Sequence, residues 1–225
     1  MPTDNEKQLA ASASLAFVRD GDVVGLGTGS TASIAIELLG EKVKAGLKIV
    51  GIPTSQRSKQ LAETLGIPLT TLDEVQQIDV DIDGADEIDL QLRLTKGGGG
   101  ALLREKVVAS AAKQFVVIAD SSKQVPVLGS FPLPVEVIPF AQTLIIGRIQ
   151  ALGAVVNLRR YSYGNPFTTD EGHHILDCQF GAIADPESLA RTLSEMPGVV
   201  EHGLFINMAT VVLIGKGDEV VELRR

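Results

Sequence analysis

Apolar residues in the first half of the chain occur in two patterns. Short apolar runs, which predict buried strands, are separated by stretches with an apolar residue at every third or fourth position, which predict amphipathic helices. The first such helix covers Asp4 to Arg19. Strands that alternate with helices in this way indicate βαβ units on a parallel sheet. The predicted strands are Val23–Leu26, Leu47–Ile52, Ile67–Leu72, Ile78–Ile82 and Phe115–Ala119.

The pattern changes after Gln124, where prolines become frequent and mark a linker. The order that follows is β-α-β-β-α-β, which is the order of a ferredoxin-like fold. Two further strand-like runs close the chain, and we place them back on the first sheet. The prediction is therefore an α/β protein: a Rossmann-like parallel-sheet domain (1–128 with 204–225) and an inserted, smaller ferredoxin-like α+β domain (129–203). The predicted elements after the linker are strand Leu133–Ile138, helix Phe140–Leu152, strand Ala154–Leu158, strand His174–Phe180, helix Pro186–Met196, strand Val199–Glu201 and the closing runs Ala209–Ile214 and Glu219–Leu223.

Composition narrows the class of protein. No apolar run approaches the ~18 residues that a membrane span needs, and the N-terminus lacks the features of a signal peptide. The single cysteine, Cys178, excludes an intramolecular disulfide framework. These features predict a cytoplasmic protein without a membrane partner. A net charge of −8, 4% aromatic residues and no Trp argue against a nucleic-acid partner.

Four polar or glycine-rich loops follow the ends of predicted strands. They are Gly27–Thr31, Asp83–Asp89, Lys96–Gly100 and Asp120–Lys123. Ligands of parallel sheets bind beyond the carboxyl ends of the strands. The first loop leads from a strand into a helix, so its amides and hydroxyls suit a phosphate group. The loops together predict a site for a small phosphorylated molecule.

The third loop carries the chemistry. Four consecutive glycines bury no side chain, but they let a ligand approach bare N–H groups. Lys96 precedes them, and Glu105 falls in the first turn of the next predicted helix, where the helix dipole favours an ionised carboxylate. A cation, a run of amides and a carboxylate suit proton abstraction with charge developing on an oxygen.

Two other interpretations of these loops, a dinucleotide-binding motif and a calcium loop, are rejected because the residue spacing does not match. In the pattern G-x-G-x-x-G that starts at Gly25, the last position is Ser30, so dinucleotide binding is rejected. The run Asp79–Gly84 begins like a calcium loop, but its twelfth position is Leu90 instead of Glu. No Cys/His spacing for zinc occurs either. We therefore expect no metal, and we interpret the acidic residues of 83–89 as a carboxylate cluster at a strand end.

Taken in order, the motifs resemble the ribose-5-phosphate isomerase A family over essentially the whole chain. The resemblance implies the interconversion of D-ribose 5-phosphate and D-ribulose 5-phosphate through an enediolate, with no metal or cofactor. It also implies a homodimer or homotetramer assembled through the second domain. The motifs are Gly27-Thr28-Gly29-Ser30-Thr31, Asp83-Gly84-Ala85-Asp86-Glu87, Lys96-Gly97-Gly98-Gly99 with Arg104-Glu105-Lys106, Phe131–Pro139 and Pro197–Phe205.

The resemblance also implies roles for individual residues. Glu105 is implied as the base that moves a proton between C2 and C1. Asp83 and Asp86 are implied in ring opening and in proton transfer between hydroxyls. Lys96 and the Gly97–Gly99 amides are implied as the groups that stabilise the oxyanion. The implied substrate-binding residues are Thr28, Gly29, Ser30, Thr31, Asp83, Gly84, Ala85, Asp86, Lys96, Gly97, Gly98, Gly99, Lys123 and Lys7.

Two alternatives use the same fold. A non-catalytic phosphosugar sensor would need the Gly27–Thr31 loop but not Glu105. A CoA-transferase-like enzyme would use Glu105 as a nucleophile, for which the chain is short. We expect Tyr161 and Tyr163, in a predicted turn, to be packing or interface residues.

Overall fold

A computed structural model describes residues 2–225, and the chain folds as two compact units. The first unit consists of the chain up to Ala85 together with 104–124 and 208–225, and the second of 86–103 and 125–207. The second unit therefore includes a segment, 86–103, that the sequence did not separate from the first domain. The predicted domain limits, 1–128 with 204–225 and 129–203, stay a prediction.

The first unit is built on a six-stranded sheet in the order β13-β12-β6-β3-β1-β2. All neighbouring strands are parallel except β13, which is antiparallel to β12. This confirms the predicted parallel sheet and the return of the two closing strands to it. The strands are β1 (Val23–Leu26), β2 (Val50–Pro53), β3 (Ile78–Asp83), β6 (Ala112–Asp120), β12 (Val211–Lys216) and β13 (Glu219–Arg224), and the helices are α1 (Pro2–Ser14), α2 (Ser30–Lys44), α3 (Gln56–Leu65) and α4 (Leu102–Ala111).

Successive side chains of the central strands point to opposite faces of this sheet, and different helices cover the two faces. Val24 and Val80 pack in one buried cluster with Ala10 of α1 and Leu39 of α2. Burial of each large aliphatic side chain contributes about 1.5–3 kcal/mol to folding. On the other face, a Cβ added to Gly25 of β1 would meet a side chain of α4 at 2.8 Å. Helices therefore cover both faces, as a buried parallel sheet requires.

The predicted strand Ile67–Leu72 does not form. Only Leu69 makes an isolated bridge, to Gly51 of β2. The Pro68 carbonyl accepts from Gly51 N at 2.7 Å and Thr70 N donates to Gly51 O at 3.0 Å, after which the chain turns. Because Pro68 has no N–H to contribute to a ladder, the apolar run gives a short contact instead of a strand.

The second unit contains a four-stranded antiparallel sheet in the order β10-β7-β9-β8. With one helix between the first two strands and another before the last, this is the ferredoxin-like arrangement that the sequence predicted. Ile145 and Leu193 from the two helices pack with Val135 and Leu176 of the sheet. The elements are β7 (Leu133–Val137), α5 (Gln142–Ala151), β8 (Val155–Leu158), β9 (His174–Gln179), α6 (Pro186–Ser194) and β10 (Val199–His202).

A small three-stranded antiparallel sheet completes the second unit. Its strands are β4 (Glu87–Ile88), β5 (Leu94–Thr95) and β11 (Leu204–Phe205), in the order β11-β5-β4. The Lys96–Gly100 loop therefore follows a strand of this sheet, and the expectation that it follows a strand of the parallel sheet is wrong. Two-residue strands are too short to produce a periodic pattern in the sequence. Among residues 2–225, no helix is long and apolar enough to cross a bilayer.

Candidate active site

In the first unit, the loop after β1 is held by the side chain at the end of β3. Asp83 is fully buried, and its Oδ1 accepts from Thr28 N at 2.9 Å and from Gly84 N at 2.7 Å. A Cβ on Gly27 would lie 2.3 Å from the same oxygen. Glycine is therefore required at position 27, because any side chain there would displace the carboxylate. The structure fixes Asp83 against the loop predicted to bind phosphate.

The Thr28 hydroxyl belongs to a cluster of hydroxyl groups on two neighbouring loops. It lies 2.7 Å from Thr54 Oγ1, 2.8 Å from Ser55 Oγ and 3.2 Å from Ser58 Oγ. Ser58 Oγ in turn donates to Gly27 O at 2.6 Å. Thr28 thus ties the loop after β1 to the loop after β2. The sequence analysis did not identify this cluster.

The N-terminus of α2 supplies the remaining predicted contacts of this loop. Gly29 precedes the helix with φ 120°, a left-handed conformation that favours glycine, and Ser30 is the first helical residue. The Ser30 side chain is exposed, whereas Thr31 is buried. Amides at a helix N-terminus point outward and carry partial positive charge, so the loop can receive an anion.

Lys7 and Lys123 are brought to neighbouring turns of the first unit by a carboxylate that sequence reasoning missed. Glu6, 6% exposed, accepts from Ser121 N at 3.0 Å and from Ser121 Oγ at 2.7 Å. Its other oxygen accepts from Gly217 N at 2.9 Å. Glu6 therefore joins the turn of α1 that carries Lys7 to the turn after β6 that carries Lys123. Bonds to backbone amides leave no motif in the sequence, so no signal pointed to this residue.

These bonds predict how stability depends on pH. The amide of Gly217, with the hydroxyl and amide of Ser121, holds the pKa of the Glu6 carboxyl below its ordinary value of 4.5. A carboxyl whose pKa falls on folding stabilises the protein at neutral pH, and this contribution is lost as the pH falls through the lowered pKa. Glu6→Gln should therefore be less stable than the parent chain at pH 7, and the difference should shrink below pH 4.5.

Urea unfolding of the Glu6→Gln chain and its parent over a pH series measures this difference. Glu41→Gln, at an exposed position of α2, is the matched control and should change stability little. A loss of stability in Glu6→Gln that stays the same from neutral to acid pH would contradict the assigned role of the ionised carboxylate.

In the second unit, the glycine loop is fixed by Asp86, a residue of the predicted carboxylate cluster. Asp86 Oδ2 accepts from Gly98 N at 2.7 Å, and a Cβ on Gly98 would lie 2.5 Å from the other oxygen of Asp86. Gly97 and Gly100 adopt φ values of 101° and 83°, which L-residues rarely tolerate. The glycines at 97, 98 and 100 are therefore needed for the path of the backbone as well as for access.

Lys96 enters this loop as a buried cation. It is 2% exposed, and its Nζ lies 5.4 Å from the centroid of the Phe205 ring. A cation over an aromatic face is attracted by the electrons of the ring. The backbone of Lys96 is held as well, because Lys96 N donates to Gly203 O at 2.8 Å. Gly98 and Gly99, by contrast, are exposed.

The other two acidic residues of the predicted carboxylate cluster have structural roles. Glu87 accepts from the amides of Gly129 and Phe131, both at 2.8 Å. Asp89 accepts from Arg93 N at 2.9 Å and pairs with the Arg93 guanidinium at 2.6 Å. Glu87 and Asp89 therefore bond to backbone and side-chain groups of the second unit, and the roles predicted for Asp83 and Asp86 stay a prediction. Within residues 2–225, no group of three or more His, Cys, Asp or Glu side chains could hold a metal ion.

Glu105 lies in the first turn of α4, as the periodicity predicted. It is 2% exposed. A carboxylate in the first turn is favoured in its charged form by the helix dipole, and its burial limits contact with water. In the sequence, Glu105 follows Lys96 and the glycine loop by fewer than ten residues.

Solved structures of sugar-phosphate isomerases are similar to this chain along its full length. A solved D-ribose-5-phosphate isomerase in complex with phospho-erythronic acid matches with a TM-score of 0.97 and 42% identity, covering 100% of both chains. The ribose 5-phosphate isomerase of Plasmodium falciparum matches with a TM-score of 0.95 and 39% identity, covering 100% of this chain and 99% of its own. The fold is therefore that of these isomerases, and the chain belongs to this class of enzyme.

The particular family follows from the sequence comparisons. The model of ribose 5-phosphate isomerase A (phosphoriboisomerase A) matches residues 50–219. Ribose-5-phosphate isomerase A of Parvibaculum lavamentivorans is 51% identical, covering 99% of this chain and 100% of the relative. That of Agrobacterium fabrum is 54% identical over 91% of each. The chain belongs to the ribose-5-phosphate isomerase A family, whose reaction is the interconversion of ribose 5-phosphate and ribulose 5-phosphate.

Proposed function

We propose that the chain interconverts D-ribose 5-phosphate and D-ribulose 5-phosphate by moving a proton between C2 and C1 through an enediolate, with Glu105 as the base. The observation that carries this proposal is the buried carboxylate of Glu105 in the first turn of α4. A base that is shielded from water competes well for a carbon-bound proton, because water cannot stabilise its charge as strongly.

Removal of the proton leaves negative charge on the neighbouring carbonyl oxygen. We assign its stabilisation to the Lys96 ammonium group and to the amides of the Gly97–Gly99 loop. The burial of Lys96 supports this assignment, since a cation acts more strongly on a developing charge where water is excluded. The bond from Gly98 N to Asp86 supports it as well, because it holds the loop in one conformation before substrate arrives.

The remaining steps need carboxylates and a phosphate site. We assign ring opening and proton transfer between hydroxyls to Asp83 and Asp86. Each accepts a hydrogen bond from a backbone amide, which holds its carboxylate in one orientation beside a predicted binding loop. The phosphate would bind at the N-terminus of α2. Its proposed ligands are Thr28, Gly29, Ser30 and Thr31 with Lys7 and Lys123, while Gly84 and Ala85 would contact the sugar.

The ligand of one relative fits this chemistry. The D-ribose-5-phosphate isomerase of the first structural match binds phospho-erythronic acid. Its carboxylate is planar and negatively charged, as the enediolate carbons and their oxygens are. A site that stabilises the enediolate should therefore bind this acid in our chain too.

The reaction is tested by incubating the purified chain with ribose 5-phosphate in deuterated water. We expect ribulose 5-phosphate with deuterium on C1, because a carboxyl that carries the transferred proton can exchange it with solvent before returning it. The assay is repeated after treatment with EDTA, and activity should be unchanged, because the proposed mechanism uses no metal. Activity lost on chelation and restored by a divalent ion would contradict the metal-free mechanism.

The same assay separates the alternatives. A phosphosugar sensor would bind ribose 5-phosphate without forming ketose. A CoA-transferase-like enzyme would retain an acyl-CoA-derived thioester on Glu105, which intact-mass measurement detects. The combination of Glu105, Lys96 and Asp83 favours the isomerase, because a sensor needs no buried base.

We further propose that the chain works in the cytoplasm as a homodimer or homotetramer assembled through the second unit. Phe140 is 97% exposed and Leu144, one turn further along, is 55% exposed. Large apolar side chains left in water in this way are typical of surfaces between subunits. Sedimentation of the purified chain gives the number of copies.

A further inference from the structure

The carbonyl oxygens of the glycine loop are bound by an arginine that follows β8. Arg159 Nη1 donates to Gly97 O at 2.9 Å and to Gly98 O at 3.2 Å. The rest of the guanidinium is held by Asp177 of β9, which accepts from Nε at 3.0 Å and from Nη2. The Arg159 side chain is 15% exposed. One guanidinium thus connects the four-stranded sheet to two successive peptide groups of the loop.

This contact determines where the next amides point. In a trans peptide the C=O and N–H bonds point in opposite directions. With the Gly97 and Gly98 carbonyls directed at the guanidinium, the N–H groups of Gly98 and Gly99 are directed away from it. The Gly98 N–H indeed meets Asp86 Oδ2 on that other side, at 2.7 Å. The positive charge on the carbonyl side also polarises both peptides, which makes their N–H groups stronger donors.

The segment between β8 and β9, which carries Arg159, also supports the far end of the glycine loop. A Cβ on Gly100 would lie 2.5 Å from Cζ of Phe167, so this ring packs directly on the glycine. The Arg159 guanidinium carbon lies 5.9 Å from the centroid of the ring. The Tyr161 ring packs on Phe167 in turn, with centroids 5.1 Å apart. Tyr161, expected only to be a packing or interface residue, therefore supports a ring that contacts the glycine loop.

We propose that Arg159 is a positioning residue that holds and polarises the glycine-loop amides that stabilise the oxyanion. The proposal rests on the proposed function of this loop. Without the guanidinium, the Gly97–Gly98 peptide keeps the bond from Gly98 N to Asp86, but the Gly98–Gly99 peptide loses its bond to Arg159 and can rotate. The Gly99 N–H group would then have to reorganise as charge develops in the transition state. The loss should therefore fall on kcat, because ground-state binding of the sugar phosphate relies on other groups.

The test compares Arg159→Ala and Arg159→Lys with Arg160→Ala. Arg160 is an exposed neighbour whose guanidinium donates to Gly164 O within its own turn, so it controls for loss of charge in the segment between β8 and β9. We expect Arg159→Ala to lower kcat by about 10–100-fold with KM changed by less than about threefold. Arg159→Lys should be intermediate, because an ammonium restores charge but cannot bond both carbonyls and Asp177. Low millimolar guanidinium should restore part of the kcat of Arg159→Ala.

A second readout uses phospho-erythronic acid as a probe. Its inhibition constant should weaken in Arg159→Ala by about as much as kcat falls, while Arg160→Ala keeps the parent value. Unchanged kcat, or a change in KM alone, overturns the role of Arg159 while the parent activity upholds the proposed function. If the parent chain forms no ketose, the proposed function fails first. If Arg159→Ala melts early, Arg159→Lys decides: full activity in that variant overturns the proposal, and a selective loss of kcat supports it.

Discussion

Glu105→Gln is expected to lower kcat by about 10²–10⁴-fold while the fold and the KM for ribose 5-phosphate stay near those of the parent chain. Glutamine has nearly the same shape as glutamate, so the buried position in α4 remains filled. Its amide, however, cannot accept a proton from carbon. Ketose formation measured at several concentrations of ribose 5-phosphate gives kcat and KM separately.

Glu63→Gln is the matched control for this change. Glu63 lies on α3, its side chain is 55% exposed, and it lies 4.0 Å from Lys59 one helical turn away. Exposed pairs of this kind contribute little to stability, so this variant should keep the parent kcat. Near-parent turnover in Glu105→Gln would show that another group removes the proton and would reject the proposed base.

The parallel sheet and the ferredoxin-like sheet were both predictable because their strands are long enough to show a pattern. Apolar runs such as Val23–Leu26 and Phe115–Ala119 lie between helical stretches and mark each βαβ unit. Prediction failed where a strand was too short to show an apolar pattern, or where one residue prevented the strand that the pattern favoured. Pro68 removed a strand that its apolar neighbours favoured, and β4, β5 and β11 have two residues each, with β5 pairing to a strand more than a hundred positions away.

In the candidate site too, some residues could be predicted from the sequence and others could not. The glycines stand out because four in a row bury no side chain, and Lys96 and Glu105 stand out because they flank this run. Arg159 and Glu6 do not, because each acts by bonding to backbone groups distant in the chain. Any residue presents such backbone groups, so only the folded structure shows which arginine or glutamate meets them. Supporting side chains are therefore harder to predict than the groups proposed to react.

Lys96→Met is expected to reduce kcat by about 10²–10³-fold with a smaller effect on KM. Methionine keeps most of the length of the apolar stem and removes the charge. The cation matters because it is 2% exposed and lies 5.4 Å from the centroid of the Phe205 ring, where little water screens its field. Its attraction for the substrate grows as the carbonyl oxygen becomes negative, so the loss falls on the transition state. Steady-state assays and inhibition by phospho-erythronic acid measure both parts.

Lys113→Met is the control, since Lys113 is 53% exposed and pairs at the surface with Asp79 at 2.7 Å. That variant should lose only a little stability and no turnover. The double variant Lys96→Met/Glu105→Gln gives the sharper test. If both groups serve one proton transfer, its kcat should fall by less than the product of the two single losses, because the ammonium has little developing charge to stabilise once the base is gone. Independent, multiplicative losses would mean that Lys96 supports a step other than enediolate formation.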